Sequence, residues 1–449
     1  MHVETYFSAP RVEQLARQTG FVQRCSPIHG FNFLMTFTAG MLNTPGGTLA
    51  QLAAFLSSTC QTHISPQALD ERLGPAAVDF MRACFHAALD LERQTREFEH
   101  LGLLAGFDHV YLIDSTGFTL HPSLAHLFKG SGGSGSPATM RLQVALDYVT
   151  GRVYVNIGDL RLGDAPTLFN MVSDEEIDLT GKCLILSDLG YFKLDTLERI
   201  QDKKLFVLSK LMHGVTLRDA DGGSVDLDAL LKKKPASFDS TMFIKGRSYR
   251  IVGCRLPDEV VNQRLRKANK TAAEKGRGIT DAYRIFLHYA IFLTNLPQTI
   301  PMDALYVIYR VRWQIELVFK TWKSILGIHR IQSAKYNRVM CELYGKLILA
   351  VLALRLNTMA EAKSKLPISL HRTTQTLKTM AATWACAIVA GAHAHQAVID
   401  MFIRFVRRAC KKRPGKNKPT IENRLNQFKA ITWTESTAPS SSSTGVSMA

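Results

Sequence analysis

The chain has 449 residues, enough for several domains each with its own core, and its 46% hydrophobic and 21% charged content is that of a folded soluble protein rather than a disordered one. Against 38 acidic residues stand 55 Lys and Arg, a net charge of +17, which favours a polyanionic partner such as nucleic acid. Eight scattered cysteines with no Cys-x-x-Cys pair argue against a disulfide framework or a structural zinc.

The N-terminal residues lack an apolar signal core, and the longest apolar stretch, 347–354, stops at Arg355, far too short for a bilayer. The expected location is therefore cytoplasmic. Residues 1–104 read as helical. Thr48 to Ser57 forms an amphipathic helix, and after a polar turn Ser65-Pro66 supplies an N-cap and first-turn proline for a second helix through Leu73. That pair has the outline of a helix-turn-helix, and equally of a plain bundle.

From Val110 the pattern turns to strands. VYLID (110–114) and KCLILSD (182–188) are buried strands, and 142–160 reads as a hairpin about Thr150-Gly151. The Gly/Ser run 130–136 reads as a mobile loop. In 202–296, short β runs (205–210, 242–254 and 284–296) surround irregular basic segments: Lys232-Lys233-Lys234, and 264–277 with Arg264, Arg266, Lys267, Lys270, Lys275 and Arg277 against Glu274. A long helix follows Pro301 and closes at Gly327. Mostly helical sequence then runs to about 409, the segment 404–418 is basic, and a Ser-rich tail at 439–447 reads as disordered.

Residues 305–325 read as one continuous helix. At about 100° per residue, Tyr309, Arg312, Glu316 and Lys323 share a stripe roughly 60° wide, while Val311, Ile315, Val318, Trp322 and Ile325 form an apolar stripe opposite. A lone carboxylate flanked by cations suits a place where a metal ion and phosphate meet, although i,i+4 pairing on a solvated face has the same appearance. Asp114 and Asp188 each end a hydrophobic strand, where an acid is commonly a turn or cap residue. Two strand-end carboxylates beside one from a helix are also how a pair of divalent ions is held for in-line phosphoryl transfer, because Mg²⁺ prefers hard oxygen ligands. Histidines such as His288, His329 and His393 lack ligand spacing.

LIDSTG, LSDLGYF and Tyr309-x2-Arg312-x3-Glu316-x6-Lys323 resemble the three catalytic motifs of DDE transposases, specifically the insertion-sequence-four family of bacterial cut-and-paste enzymes. The resemblance implies an α/β fold: an RNase H-like mixed-sheet core interrupted by a β-rich insertion, with helical N- and C-terminal regions. The divisions expected are 1–104 (helical, DNA-binding), 105–201 (first part of the core), 202–296 (insertion), 297–360 (second part, with Glu316) and 361–449 (helical, with basic segment and tail). It further implies that Asp114, Asp188 and Glu316 hold two Mg²⁺ ions, with Mn²⁺ as a substitute, and that Tyr309, Arg312 and Lys323 contact DNA phosphates. The implied partners are double-stranded DNA at terminal inverted repeats and target sites, engaged by a homodimer in the bacterial nucleoid, with no membrane. In well-known relatives a tryptophan of the insertion stacks on a flipped base; here Trp313, Trp322, Trp384 and Trp433 all lie outside 202–296, and Tyr249, Phe243 and Tyr283 are the aromatic alternatives within it. A non-catalytic transposase-derived DNA-binding protein and an RNase H-fold nuclease without strand transfer stay open as alternatives.

Overall fold

A computed structural model describes residues 6–24, 26–44, 46–91, 101–132, 135–364, 366–413 and 419–431. The Ser-rich tail, Gly133-Ser134 of the glycine-rich run and 414–418 of the basic segment lie outside the described residues.

The N-terminal region is helical as expected: α1 (Ala9–Gln18), α2 (Gly30–Met35) running into a π-helical turn at Thr36–Gly40, α3 (Leu49–Cys60), α4 (Pro66–Glu71) and α5 (Pro75–Leu89). Thr48 and Gln51 form a capping box at the start of α3, and Ser65 Oγ accepts from the Ala68 N–H at the start of α4. Only six residues long, α4 exposes Glu71 and pairs its Asp70 with Lys335, so it is poorly equipped as a major-groove helix.

One mixed ten-stranded sheet follows, in the order β3-β2-β1-β4-β5-β10-β9-β8-β6-β7. Its first strands are β1 (His109–Thr119), β2 (Thr139–Asp147), β3 (Val153–Gly158), β4 (Cys183–Ser187) and β5 (Phe206–Lys210). The hairpin expected at 142–160 is the antiparallel β2–β3 pair, turning at Gly151 with φ +68°. β1, β4 and β5 run parallel, with α6 (Asp164–Ser173) before β4 and α7 (Leu194–Asp202) in the crossover to β5.

The block 202–296 extends this same sheet. β10 (Tyr289–Thr294) pairs antiparallel with β5 and with β9 (Arg247–Arg255), and β8 (Ser237–Ile244) pairs with β9 across a turn at Lys245-Gly246. β6 (Leu217–Arg218) and β7 (Ser224–Val225) close the edge, followed in sequence by α8 (Leu227–Lys232). Two readings are corrected here. The basic stretch from 264 is not irregular but the greater part of α9 (Asp258–Ala273), and the run beginning at Arg284 starts inside a short helix, α10 (Asp281–Phe286), before turning into β10. In α9 only Val261 and Ala272 are buried, so hydrophobic periodicity gave no signal of it.

The next expected helix is divided. α11 (Met302–Val311) and α12 (Trp313–Ser324) meet at Arg312, which keeps helical dihedrals while the hydrogen bonds switch to i→i−3: Arg312 N–H to Tyr309 O and Ile315 N–H to Arg312 O. Gly327, at φ +60°, ends the unit as expected. Then come α13 (Tyr336–Ala362), α14 (Leu370–Thr379), α15 (Ala381–Ala390), α16 (Ala392–Ala409) and α17 (Ile421–Asn426).

Alternation along the strands divides the core in two. Val110, Leu112, Leu184, Leu186 and Leu208 face the larger core, shared with α11–α13 and the N-terminal helices, while Tyr111, Ile113, Ile185 and Val207 face a smaller one. The apolar stripe Val311, Ile315, Val318 and Trp322 is buried in the larger core, as its spacing required. α13 is buried for most of its length and passes so close to the π-helical turn that a Cβ on Gly345 would come within 1.9 Å of the Phe37 carbonyl oxygen. Gly345→Ala is therefore expected to cost about 1–3 kcal/mol of folding stability. Urea unfolding measures this, and an unchanged midpoint would mean that the two elements separate freely.

Candidate active site

Strand register assembles the site. Ile113 pairs with Ser187, and Ser187 with Ser209 on the next parallel strand. One residue further on, Asp114, Asp188 and Lys210 therefore stand side by side on neighbouring strands, which lie about 4.8 Å apart. Lys210 pairs in turn with Phe292 on β10, extending the row over four strands. Asp114 has the same parity as Val110 and Leu112, so it faces the side of the sheet where α11 and α12 pack.

That packing delivers Glu316. The Arg312 guanidinium lies between two carboxylates, Nη1 3.1 Å from Asp114 Oδ2 and Nη2 2.6 Å from Glu316 Oε1, with 11% of its side chain exposed. Asp114 Oδ1 accepts from the Ser115 N–H at 2.8 Å, and Asp188 Oδ1 accepts from the Gly190 N–H at 2.7 Å, capping a short 3₁₀ turn. Both aspartates thus do the local work that strand-end acids commonly do, and they also share the row. Burial pushes the Asp114 carboxyl above its ordinary value. The Ser115 N–H and Arg312 oppose that, and the negative charges of Asp188 and Glu316 reinforce it.

Lys323 reaches the end of β1, its Nζ 3.2 Å from the Gly117 carbonyl oxygen. Tyr309, expected to contact DNA phosphates, is instead turned inward. It is buried, its ring 4.6 Å from that of Phe292, and burial pushes its hydroxyl up to about 12. The tightened turn at Arg312 and the depth of the α11 contact account for this; a uniform 100° projection allows for neither. The Tyr309 hydroxyl and Arg312 Nε are both buried without a hydrogen-bond partner among the described residues. Both side chains line a cavity of about 470 Å³ that also takes in Lys210 and Trp313.

Lys210 was not among the residues expected here. It lies 5.8 Å over the Tyr309 ring, and burial lowers its pKa, as do the Arg264 and Arg312 charges, while Asp188 and Glu316 pull it back up. A signal was available: Lys210 ends the strand LFVLSK as Asp114 and Asp188 end theirs. No three His, Cys, Asp or Glu side chains among the described residues are grouped closely enough to hold a metal ion as they stand. Among the described residues the one cation touching both Asp114 and Glu316 is Arg312, and the donors offered are hard carboxylate oxygens, the type a divalent magnesium-like ion takes.

Known proteins bear on this arrangement. The chain is 27% identical over 362 residues to the transposase for insertion sequence element IS231C of Bacillus thuringiensis subsp. berliner, covering 75% of each chain. It is also 27% identical over 377 residues to the transposase for insertion sequence element IS1151 of Clostridium perfringens, covering 78% of each. Among solved structures it is similar, at 10% identity and a TM-score of 0.49, to piggyBac transposase in a synaptic complex with hairpin DNA, covering 98% of this chain and 87% of that one. The family model described as transposase DDE domain matches residues 105–352 and includes Asp114, Asp188, Lys210 and Glu316. Since that match spans more than half of its length, the chain belongs to the DDE transposase family.

Proposed function

We propose that this DNA transposase cuts at the ends of its element and joins the freed 3′-hydroxyl to target DNA at the row formed by Asp114, Asp188 and Glu316. The observation that carries the reading is one guanidinium held between the Asp114 and Glu316 carboxylates, beside the strand position of Asp188. Two carboxylates that share one guanidinium mark a place where positive charge is drawn in. The strand order β3-β2-β1-β4-β5, with the order reversing direction between β2 and β1, supports an RNase H-like core, and we place the start of the insertion after β5. The insertion-sequence-four assignment rests on the Tyr309, Arg312, Glu316 and Lys323 spacing.

Asp114, Asp188 and Glu316 would hold two Mg²⁺ ions. Ions bound there supply Lewis acidity to the phosphate and lower the pKa of the attacking hydroxyl or water. The chain's own groups do the positioning. Lys323 at the end of β1 grips a backbone phosphate, and Arg312, once freed from its carboxylates, grips another. Lys210 places a third cation next to Asp188, where it offsets negative charge gathering on the reacting phosphate. In each step an oxygen nucleophile bonds to phosphorus as the opposite ester P–O bond breaks. The first step leaves a 3′-hydroxyl, and the second spends it on a target phosphodiester. Two subunits acting together on paired element ends complete the reading. No described helix is long and apolar enough to cross a membrane.

Incubation of the protein with a plasmid carrying the DNA that flanks its gene tests the catalytic roles. Asp114→Ala, Asp188→Ala and Glu316→Ala are each expected to lower Mg²⁺-dependent cleavage about a thousandfold while duplex binding persists, since binding rests on cations. Near-normal cleavage by any one of them would remove that residue from the site.

Arg312 and Lys323 separate by their surroundings. Lys323→Ala is expected to flatten the slope of log affinity against log salt by about 0.9 on duplex DNA, with the melting temperature unchanged. Arg312→Ala leaves two carboxylates without their counter-cation in a partly screened pocket, so it is expected to lose about 1–3 kcal/mol of stability and to recover part of it in millimolar Mg²⁺. Thermal melts with and without Mg²⁺ measure this; a destabilised variant indifferent to Mg²⁺ would argue against a metal pocket there.

A further inference from the structure

Three cavities run into one another along the outer side of α12. The first, of about 470 Å³, opens beside the catalytic row. A second, of about 310 Å³, lies between α12, the start of α14 and residues 411–413 and 420–422, and a third, of about 330 Å³, continues to the β2–β3 turn and α13. Gln314 lines all three. Ile421 joins the first to the second, and Leu317, Ser369 and Lys412 join the second to the third. They form one groove that starts at Lys210 and Arg312.

Cations crowd the walls of the first two cavities, and the third adds Lys320 among apolar side chains such as Leu146, Val318, Leu354 and Leu370. Arg310, Lys320, Arg372, Lys411, Arg413 and Arg424 line it, and none of the six is in an ion pair among the described residues. The wall carboxylates are already engaged: Asp147 accepts from the Val110 and Val149 N–H groups and from Thr150, and Glu422 pairs with Lys412 at 2.6 Å. On successive turns α12 also presents Trp313, 55% exposed, and Leu317, 42% exposed. An indole so exposed contributes little to the fold, and it stands where the groove leaves the catalytic row.

We propose that this groove carries a single strand of DNA away from the catalytic carboxylates, with its phosphates on the six cations and a base stacked on Trp313. Duplex DNA meets a cationic surface with its phosphates, but its bases are stacked on one another and closed to an indole. A single strand offers phosphates and base faces together, which is what a narrow groove with interleaved cations and aromatic surface takes up. The inference rests on the placing of cleavage at Asp114, Asp188 and Glu316, because it assigns the groove to a strand freed there.

Fluorescence anisotropy of the full-length protein with a labelled 15-nucleotide oligothymidine and with a labelled 15-base-pair duplex, without divalent ions, tests this directly. Trp313→Ala is expected to weaken oligothymidine binding about tenfold. The double variant Arg372→Ala/Arg413→Ala is expected to weaken it as well, and to flatten its salt slope by about 1.4, near 0.7 for each phosphate no longer neutralised. Both should leave duplex affinity within about twofold of wild type. The altered side chains are exposed or line the groove, so melting temperatures should match wild type, and the double variant decides the matter if Trp313→Ala fails to fold. Unchanged oligothymidine binding in a folded variant overturns the proposal, as does an equal loss on the duplex, which would make the groove a duplex surface. No cleavage is measured, so a failure of the catalytic assignment would appear separately, in the plasmid assay.

Discussion

The parallel register of β1, β4 and β5 is the constraint on which the site depends. With Ile113 opposite Ser187 and Ser187 opposite Ser209, the next residue on each strand must fall in one row. Strand side chains alternate with a period of two, so a slip of one residue would turn Asp114, Asp188 or Lys210 into the smaller core and bring an aliphatic side chain or a serine to the face on which α11 and α12 pack. The hydrophobic residues two and four positions before each of these groups hold that register, since all pack into the larger core on the same face, with only Phe206 partly exposed. Packing of the strand interiors therefore positions polar groups that contribute nothing to packing themselves.

Electrostatics complete what the register begins. Three acids gathered at strand ends and on a helix would repel one another, and the fold places Arg312 and Lys210 among them. Arg312 reaches both Asp114 and Glu316 because it sits at the tightened turn between α11 and α12, almost wholly enclosed, where a guanidinium can offer two donor edges at once. The same enclosure leaves Arg312 Nε and the Tyr309 hydroxyl without partners among the described residues.

Helices behind the row keep it rigid. α13 runs through the larger core, and its buried Lys346 donates to the carbonyl oxygens of Gly327 and Arg330, fixing the turn that follows α12. Burial pulls that ammonium down to about 8, and these two carbonyl oxygens, of which that of Gly327 also accepts from the Arg330 N–H, make up for part of the water it loses. Gly345 beside it allows the π-helical turn at Thr36–Gly40 to pack directly on the helix backbone. The N-terminal helices and α12 consequently share one core rather than standing as separate bodies.

The sequence by itself determined many of the local elements and the likeness to DDE transposases. Alternating and continuous apolar runs marked β1, the β2–β3 hairpin and β4, Thr48 and Ser65 marked helix starts, and Gly327 marked a helix end, because each of these signals acts within a few residues. The spacing of Tyr309, Arg312, Glu316 and Lys323 put cations around a carboxylate on one helix face, a pattern that fitted a solvated i,i+4 pair as well as a metal and phosphate site until the two aspartate motifs were set beside it. Tertiary structure decided the rest. Lys210 enters the row only because β5 pairs parallel with β4, a contact between distant segments that no local pattern encodes. Tyr309 is buried because α11 lies against Phe292. The groove along α12 exists only where residues near 314, 370, 412 and 421 come together, and those are brought to one place by the burial of apolar surface elsewhere in the chain.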